Sequence, residues 1–189
     1  MQRLLEEMWE QPQVLRQVIE HEYAGIKALA QEIKARQVEY ILIAARGSSD
    51  NAATYAKYLL GMANGIPVAL AAPSMYTLYQ QVPRLRNALV LAISQSGMSP
   101  DIVSVVQEAR DQGMLTVALT NEPGSRLAQA AERLVLCRAG EEQSVAATKT
   151  YTAELMALAL LSVALSDDDE RLRQLEALPA AVARTLDLA

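Results

Sequence analysis

The 189-residue sequence has a single cysteine, Cys137, and a single histidine, His21. One cysteine excludes an intrachain disulfide and fits a reducing compartment. One Cys with one His also leaves too few ligands for a zinc site. No basic run is present. Lys and Arg number 17 against 22 Asp and Glu, a net charge of -5, which argues against nucleic acid as the main partner. The longest apolar stretch, around Leu155 to Leu165, is too short to span a bilayer and is broken by Ser162. The opening MQRLLEEMWEQPQ carries charges where a secretory leader needs an apolar centre. GxGxxG occurs nowhere, and the glycines are not followed by the Lys-Ser/Thr pair of a P-loop. From these absences we expect a soluble, cytoplasmic chain with no cofactor, no metal and no membrane partner, and we disfavour nucleotides as ligands.

The composition is that of a globular domain, 51% hydrophobic and 21% charged. Five short apolar runs stand out: Tyr40–Ala45, Pro67–Leu70, Ala88–Ser94, Leu115–Thr120 and Arg133–Cys137. Most are continuous rather than alternating, as parallel strands covered on both faces require. Helical stretches lie between them: Asp50–Asn64 with a capping Asp, Ser99–Gln112 with Pro100 at its first position, and a shorter one over Gly124–Glu132. Long helices flank this unit over Pro12–Arg36, Ser144–Leu165 and Asp168–Leu188, with Asp167-Asp168-Asp169 separating the last two. The alternation predicts an α/β fold, a three-layer αβα sandwich on a five-stranded parallel sheet in the flavodoxin-like order 2-1-3-4-5, with right-handed crossovers and extra N- and C-terminal helices. We divide it into an N-terminal helical segment (1–36), a central α/β domain (37–166) and a C-terminal helix (167–189).

Two loops carry unusual chemistry: Gly47-Ser48-Ser49-Asp50-Asn51 and Ser94-Gln95-Ser96-Gly97-Met98-Ser99. Each leaves a predicted strand and enters a helix. In the order 2-1-3-4-5 the strand order reverses between strands 1 and 3, the strands that precede these loops, and ligands of open α/β sheets bind at that point. A helix N-terminus supplies free N–H groups and partial positive charge for an anion. Gly47 and Gly97 allow close backbone approach, Ser48, Ser49, Ser94, Ser96 and Ser99 can donate hydroxyl hydrogen bonds to phosphate oxygens, and Gln95 can bond a sugar hydroxyl. A serine at one strand-to-helix turn is as well explained as a cap. Two such loops at the switch point favour a small phosphorylated metabolite.

At these residues the sequence resembles a known family. ARGSSDNAATYAKYLL, SQSGMSPDI and EEQSVAATKTYTAEL, in that order, are similar to the sugar isomerase (SIS) domain, in particular the isomerase part of the glutamine–fructose-6-phosphate aminotransferases and the AgaS-type phosphosugar isomerases and deglycases. The stretch around Glu10-Gln11-Pro12 is similar to the start of their isomerase portions. The resemblance implies that Ser49 lines a fructose-6-phosphate site, that Ser94, Gln95 and Ser96 take the phosphate, that Ser99 replaces a phosphate-binding threonine, and that Val145 and Ala146 line the sugar pocket. Met98 stands where the aminotransferases usually have Glu, and Arg46 where they usually have a small residue; both point to the AgaS-type branch. The family's enzymes carry two such domains, with the proton-moving glutamate and the ring-opening histidine in the second. The resemblance therefore implies the first half of a longer isomerase or glucosamine-6-phosphate synthase/deaminase-like protein, inactive by itself, with no catalytic residue here. A sugar-phosphate-sensing domain of a transcription regulator is the alternative. No helix-turn-helix stretch precedes Tyr40.

The remaining candidates read more plainly. His21, within Glu20-His21-Glu22-Tyr23, suits a helix surface better than a general base. Cys137 ends a buried strand with no activating base beside it. Glu141 and Glu142 read as an acidic first turn before a helix, as does Asp101 at its own helix. Lys149 could reach an anion, although packing or surface pairing explains it better. Met8 and Trp9 suit an interface or burial on the same domain. The helix over Ser144–Leu165 is apolar on most of its surface and needs cover on more than one face; a homodimer or tandem-domain contact is expected there.

Overall fold

The computed structural model describes residues 2–188. Its elements in chain order are α1 (Gln2–Ala35), β1 (Tyr40–Ala45), α2 (Ser48–Asn64), β2 (Val68–Leu70), α3 (Ser74–Thr77), β3 (Ala88–Ile93), α4 (Pro100–Asp111), β4 (Leu115–Thr120), α5 (Arg126–Ala130), β5 (Arg133–Leu136), α6 (Lys149–Ser166) and α7 (Asp169–Leu186). The five strands are parallel, in the order β2-β1-β3-β4-β5. This is the predicted three-layer sandwich and strand order.

The layering follows from strand periodicity. Ile41 and Ile43 of β1, Leu89, Leu91 and Ile93 of β3, and Val117 and Leu119 of β4 pack with α1, α2 and α6. The alternate residues Leu42, Ala44, Val90, Ala92 and Ala118 pack with Tyr76 of α3, α4 and α5. Both faces are covered, so β3 and β4 are buried along their whole length. α1 belongs to the same core, which takes in Val14, Val18, Ile26 and Ile33. α7 lies outside it, contributing Leu172, Leu175 and Val182.

Three local expectations are corrected. The N-terminal helix begins at Gln2 rather than Pro12, and Pro12 sits buried inside it. A mid-helix proline costs about 3 kcal/mol. Burial of Pro12 and Glu7, with the tertiary bonds of Glu7 and Glu10 described below, outweighs that local signal. The second helix is capped by Gly47, at φ 61°, and opens at Ser48, so Asp50 is a first-turn acid rather than the cap.

The last helix of the sandwich opens at Lys149, not Ser144, and residues 137–148 form a crossover loop. Glu141 and Glu142 therefore lie in a loop rather than a first helical turn. Apolar α6 is covered within the chain: Ala153, Met156, Leu158, Leu160, Leu161, Val163 and Leu165 are all buried, against α1, α2, α7 and the sheet. Much of the cover that α6 needs is thus supplied by the chain's own helices.

Asp167 (φ 52°) ends α6 and the Asp168 side chain caps α7 by accepting from the Arg171 amide, as the acidic triplet implied. Among the described residues, no helix is long and apolar enough to cross a membrane.

Candidate functional site

β1 and β3 are neighbours and end at the same level, with Ala44 opposite Ala92 and Ala45 opposite Ile93. The two Ser/Gly loops therefore leave the sheet side by side. Between them and the start of α6 lies a cavity of about 290 Å³ lined by Arg46, Gly47, Ser48, Ser49, Ser94, Gln95, Ser96, Ser99, Val145, Ala147, Thr150, Tyr151 and Glu154. Of the residues singled out from sequence, Gly47, Ser48, Ser49, Ser94, Gln95, Ser96, Ser99 and Val145 meet there. Gly97, Ala146 and Lys149 are outside the lining.

The second loop is fixed from below. The Gly97 amide donates to Ser94 Oγ at 3.2 Å, and the Met98 amide donates to Ser96 Oγ at 3.4 Å. The Gln95 carbonyl accepts from Thr120 Oγ1 and from the Asn121 amide, and the Gly97 carbonyl accepts from the Leu127 amide. Gly97 is required by its neighbours. Its φ is +59°, and a Cβ there would stand 2.2 Å from Ser125 Oγ. Gly47 is also at positive φ, but a Cβ there would meet open space.

Asp101 joins the loops. It accepts from Ser99 Oγ at 2.8 Å, from the Ile102 amide at 3.0 Å and from Arg46 Nε at 2.7 Å. Burial pushes its carboxyl up, but these hydrogen bonds and the Arg46 charge outweigh that and hold it below the usual carboxylate range. The Arg46 charge is thus balanced by an ionised neighbour.

Lys149 is almost wholly buried, and its Nζ pairs with Glu10 Oε2 at 2.6 Å, so pairing rather than the cavity takes its charge. His21 is exposed on α1. Cys137 is fully buried just beyond β5, and burial first, then the charges of Glu154, Glu22 and Glu142, push its thiol well above the ordinary range. It is held as a thiol, the unreactive form. Trp9 is about half exposed and Met8 partly buried on α1.

The crossover loop bearing Val145 is held by carboxylates. Glu7, buried on α1, accepts from the Gln143 amide at 2.6 Å, the Ser144 amide at 3.1 Å and the Ser144 hydroxyl. Burial raises the Glu7 carboxyl, but these three bonds and the Lys149 charge win and keep it below its ordinary value. Glu22 accepts from the Leu136 amide and from Arg138. Glu142 accepts from the Thr148 amide and hydroxyl where α6 begins. These acceptors replace helical hydrogen bonding through residues 144–148.

The residue that sequence reasoning missed is Glu154. It is 1% exposed, and its Oε1 accepts from Ser49 Oγ at 2.8 Å. Its Oε2, like Thr150 Oγ1 and Glu142 Oε2, has no hydrogen-bond partner among the described residues. Burial pushes its carboxyl up to about 7, with the Glu142 charge adding and the Ser49 hydrogen bond opposing. A lone acid inside the apolar run Thr152-Ala153-Glu154-Leu155-Met156 is the signal that could have found it. Among the described residues, no cluster of three or more His, Cys, Asp or Glu could hold a metal ion.

Comparison with known proteins agrees with this picture. A family model described as "SIS domain" matches residues 29–164. Glutamine–fructose-6-phosphate aminotransferase (isomerizing) of Aquifex aeolicus is 35% identical over 187 residues, 98% of this chain and 31% of that protein. A crystal structure of a candidate phosphosugar isomerase from Silicibacter pomeroyi superposes with a TM-score of 0.93 at 37% identity, covering 96% of this chain and 56% of that one. The C-terminal domain of glucosamine-fructose-6-phosphate aminotransferase from Francisella tularensis shares the fold, with a TM-score of 0.79 at 24% identity over 98% of this chain and 54% of that one. The chain thus spans between about a third and a little over half of these relatives.

Proposed function

The chain belongs to the SIS domain family, and from that premise we propose that its Ser/Gly cavity holds the phosphate of a hexose 6-phosphate or amino-sugar phosphate, as the first half of a tandem-SIS aldose-ketose isomerase or a glucosamine-6-phosphate synthase/deaminase-like protein. One observation carries this reading: Ser48, Ser49, Ser94, Ser96 and Ser99 converge on one cavity where two helices start beside neighbouring strands. Neutral donors and helix N-termini suit a phosphate dianion. A volume of about 290 Å³ lies near the lower end for ligand pockets, which suits the phosphate end and part of a sugar.

Val145, on the crossover loop, would meet the sugar, while Gly97 and Ala146 act from behind the lining. The relatives' greater length supports a tandem arrangement, in which the proton-moving glutamate and ring-opening histidine lie in the second domain. The segments 1–36, 37–166 and 167–189 would then be a helical entry, the sugar-phosphate domain and a helix leading onward. The reading includes a homodimer, for which exposed Tyr58 and Met62 of α2 offer apolar surface.

Calorimetric titration with fructose 6-phosphate and glucosamine 6-phosphate tests the proposal. The chain should bind at least one of them and turn it over poorly. Replacing Ser94 and Ser96 by Ala should weaken binding about tenfold or more for each hydroxyl lost. Unchanged affinity in the double variant, or robust turnover by this chain alone, would overturn it.

A further inference from the structure

We infer that Glu154 is a positioning residue that sets the hydrogen polarity of the Ser49 hydroxyl, so that the cavity takes up a proton when it binds a phosphate ester. This rests on the phosphate reading of the cavity and adds to it a proton-linked acceptor behind the first loop.

The geometry carries the argument. Ser49 and Glu154 are both buried and both line the cavity, 2.8 Å apart between Oγ and Oε1. A hydroxyl has one hydrogen to give. While Glu154 is ionised, Ser49 gives that hydrogen to Oε1 and turns lone pairs toward the cavity, where a phosphate oxygen would meet them unfavourably. When Glu154 is protonated, its own O–H can donate to Ser49 Oγ, and the serine hydrogen is free to point at the phosphate. The proton comes from solvent and stays on the carboxyl.

Two further facts favour the protonated state beside an anion. Oε2 is buried with no partner among the described residues, and leaving a neutral carbonyl oxygen unpaired costs less than leaving half of a carboxylate unpaired. A phosphate dianion would also add negative charge beside the carboxyl.

Among the described residues, the cations nearby are already paired. Glu142 faces Glu154 from the crossover loop, and Cys137 faces it from the end of β5. Glu22 on α1 is engaged by Arg138, and Lys149, earlier on α6, by Glu10. Arg46 lines the cavity but is held by Asp101, and Tyr151 lines it from α6. Burial already places the Glu154 carboxyl at about 7 in the free protein, so the proton is exchangeable near neutrality.

The test is calorimetric titration of the chain with fructose 6-phosphate at pH 8, in two buffers of different ionisation heat, with the wild type and E154Q. A phosphate ester has its second pKa near ~6 and is already a dianion at this pH. The wild type should take up close to one proton per ligand. E154Q, whose amide can donate to Ser49 Oγ at any pH, should take up none, bind about tenfold tighter than wild type at pH 8, and match it near pH 6.

Wild-type binding without proton uptake, or equal uptake by both proteins, overturns the inference and leaves the phosphate reading standing. If neither protein binds, the phosphate reading falls and the inference with it. The wild-type uptake decides the matter alone should E154Q fail to fold.

Discussion

The two Ser/Gly loops and the crossover loop at residues 137–148 border one cavity but are held in different proportions by near and distant groups. The first pair combine groups close at hand with longer reaches, from Thr120, Asn121 and Leu127 to the second loop and from Glu154 to Ser49. Gly47 caps its own helix, Ser94 and Ser96 bond amides two or three residues on, and Asp101 takes Ser99. The crossover loop is held by carboxylates from far away in sequence, Glu7 to Gln143 and Ser144 and Glu22 to Leu136 and Arg138. α1 therefore acts as a clamp on the side of the cavity that carries Val145. The difference separates a site half in which local bonds share the work with tertiary ones from a half held mainly by tertiary bonds.

The largest expected effect breaks the clamp. Glu7→Ala removes the charged acceptor of two part-buried amides and a hydroxyl, and should cost about 4 kcal/mol in chemical denaturation. Hydrogen exchange should speed up at residues 143–148 and stay unchanged at 94–99. Equal loosening of both regions would erase the contrast between them. Because hydrogen bonds hold the Glu7 carboxyl below its ordinary value, its stabilisation is present above the unfolded value and is lost as pH falls through the folded one.

Glu154 joins the two regions and runs the other way. The folded carboxyl keeps its proton to about 7, against 4.5 when unfolded. The folded state therefore binds more protons between these values, and stability from this group falls as pH rises across that window. Glu154→Gln should be more stable than wild type at pH 8 by about 3 kcal/mol, with the gap closing near pH 4. Thermal melts across pH check both sign and window.

Smaller effects sharpen the local side. Gly97→Ala meets both a positive φ and Ser125 Oγ at 2.2 Å, and should cost about 2 kcal/mol. Gly47→Ala meets open space, but at φ 61° and ψ -133°, outside the left-handed helical region, and should cost about 1–3 kcal/mol. Equal losses would mean that backbone strain alone sets both positions.

The same contrast explains what was legible beforehand. Strands β1, β3 and β4 are written as continuous apolar runs, because burial on both faces needs no distant information. The strand order, and the meeting of Ser49 with Ser94 and Ser96, followed from that. The stretch Val145-Ala146-Ala147-Thr148 reads locally as helix, and is a loop because Glu7 and Glu142 take the amides at 143, 144 and 148. Pro12 reads as a helix start, and tertiary burial carries the helix past it. Glu154 was hidden because its partner lies 105 residues away.

We propose that a sugar phosphate sits in the cavity between the first two loops and α6. Amide NMR of the chain during titration with fructose 6-phosphate tests it most directly. Saturable shifts are expected at Ser48, Ser49, Gln95, Ser96 and Met98, with little change at Tyr58 and Met62 beside the roughly 550 Å³ apolar groove between α2, α6 and α7. Shifts clustered on that groove, or none on the two loops at saturating ligand, would contradict it.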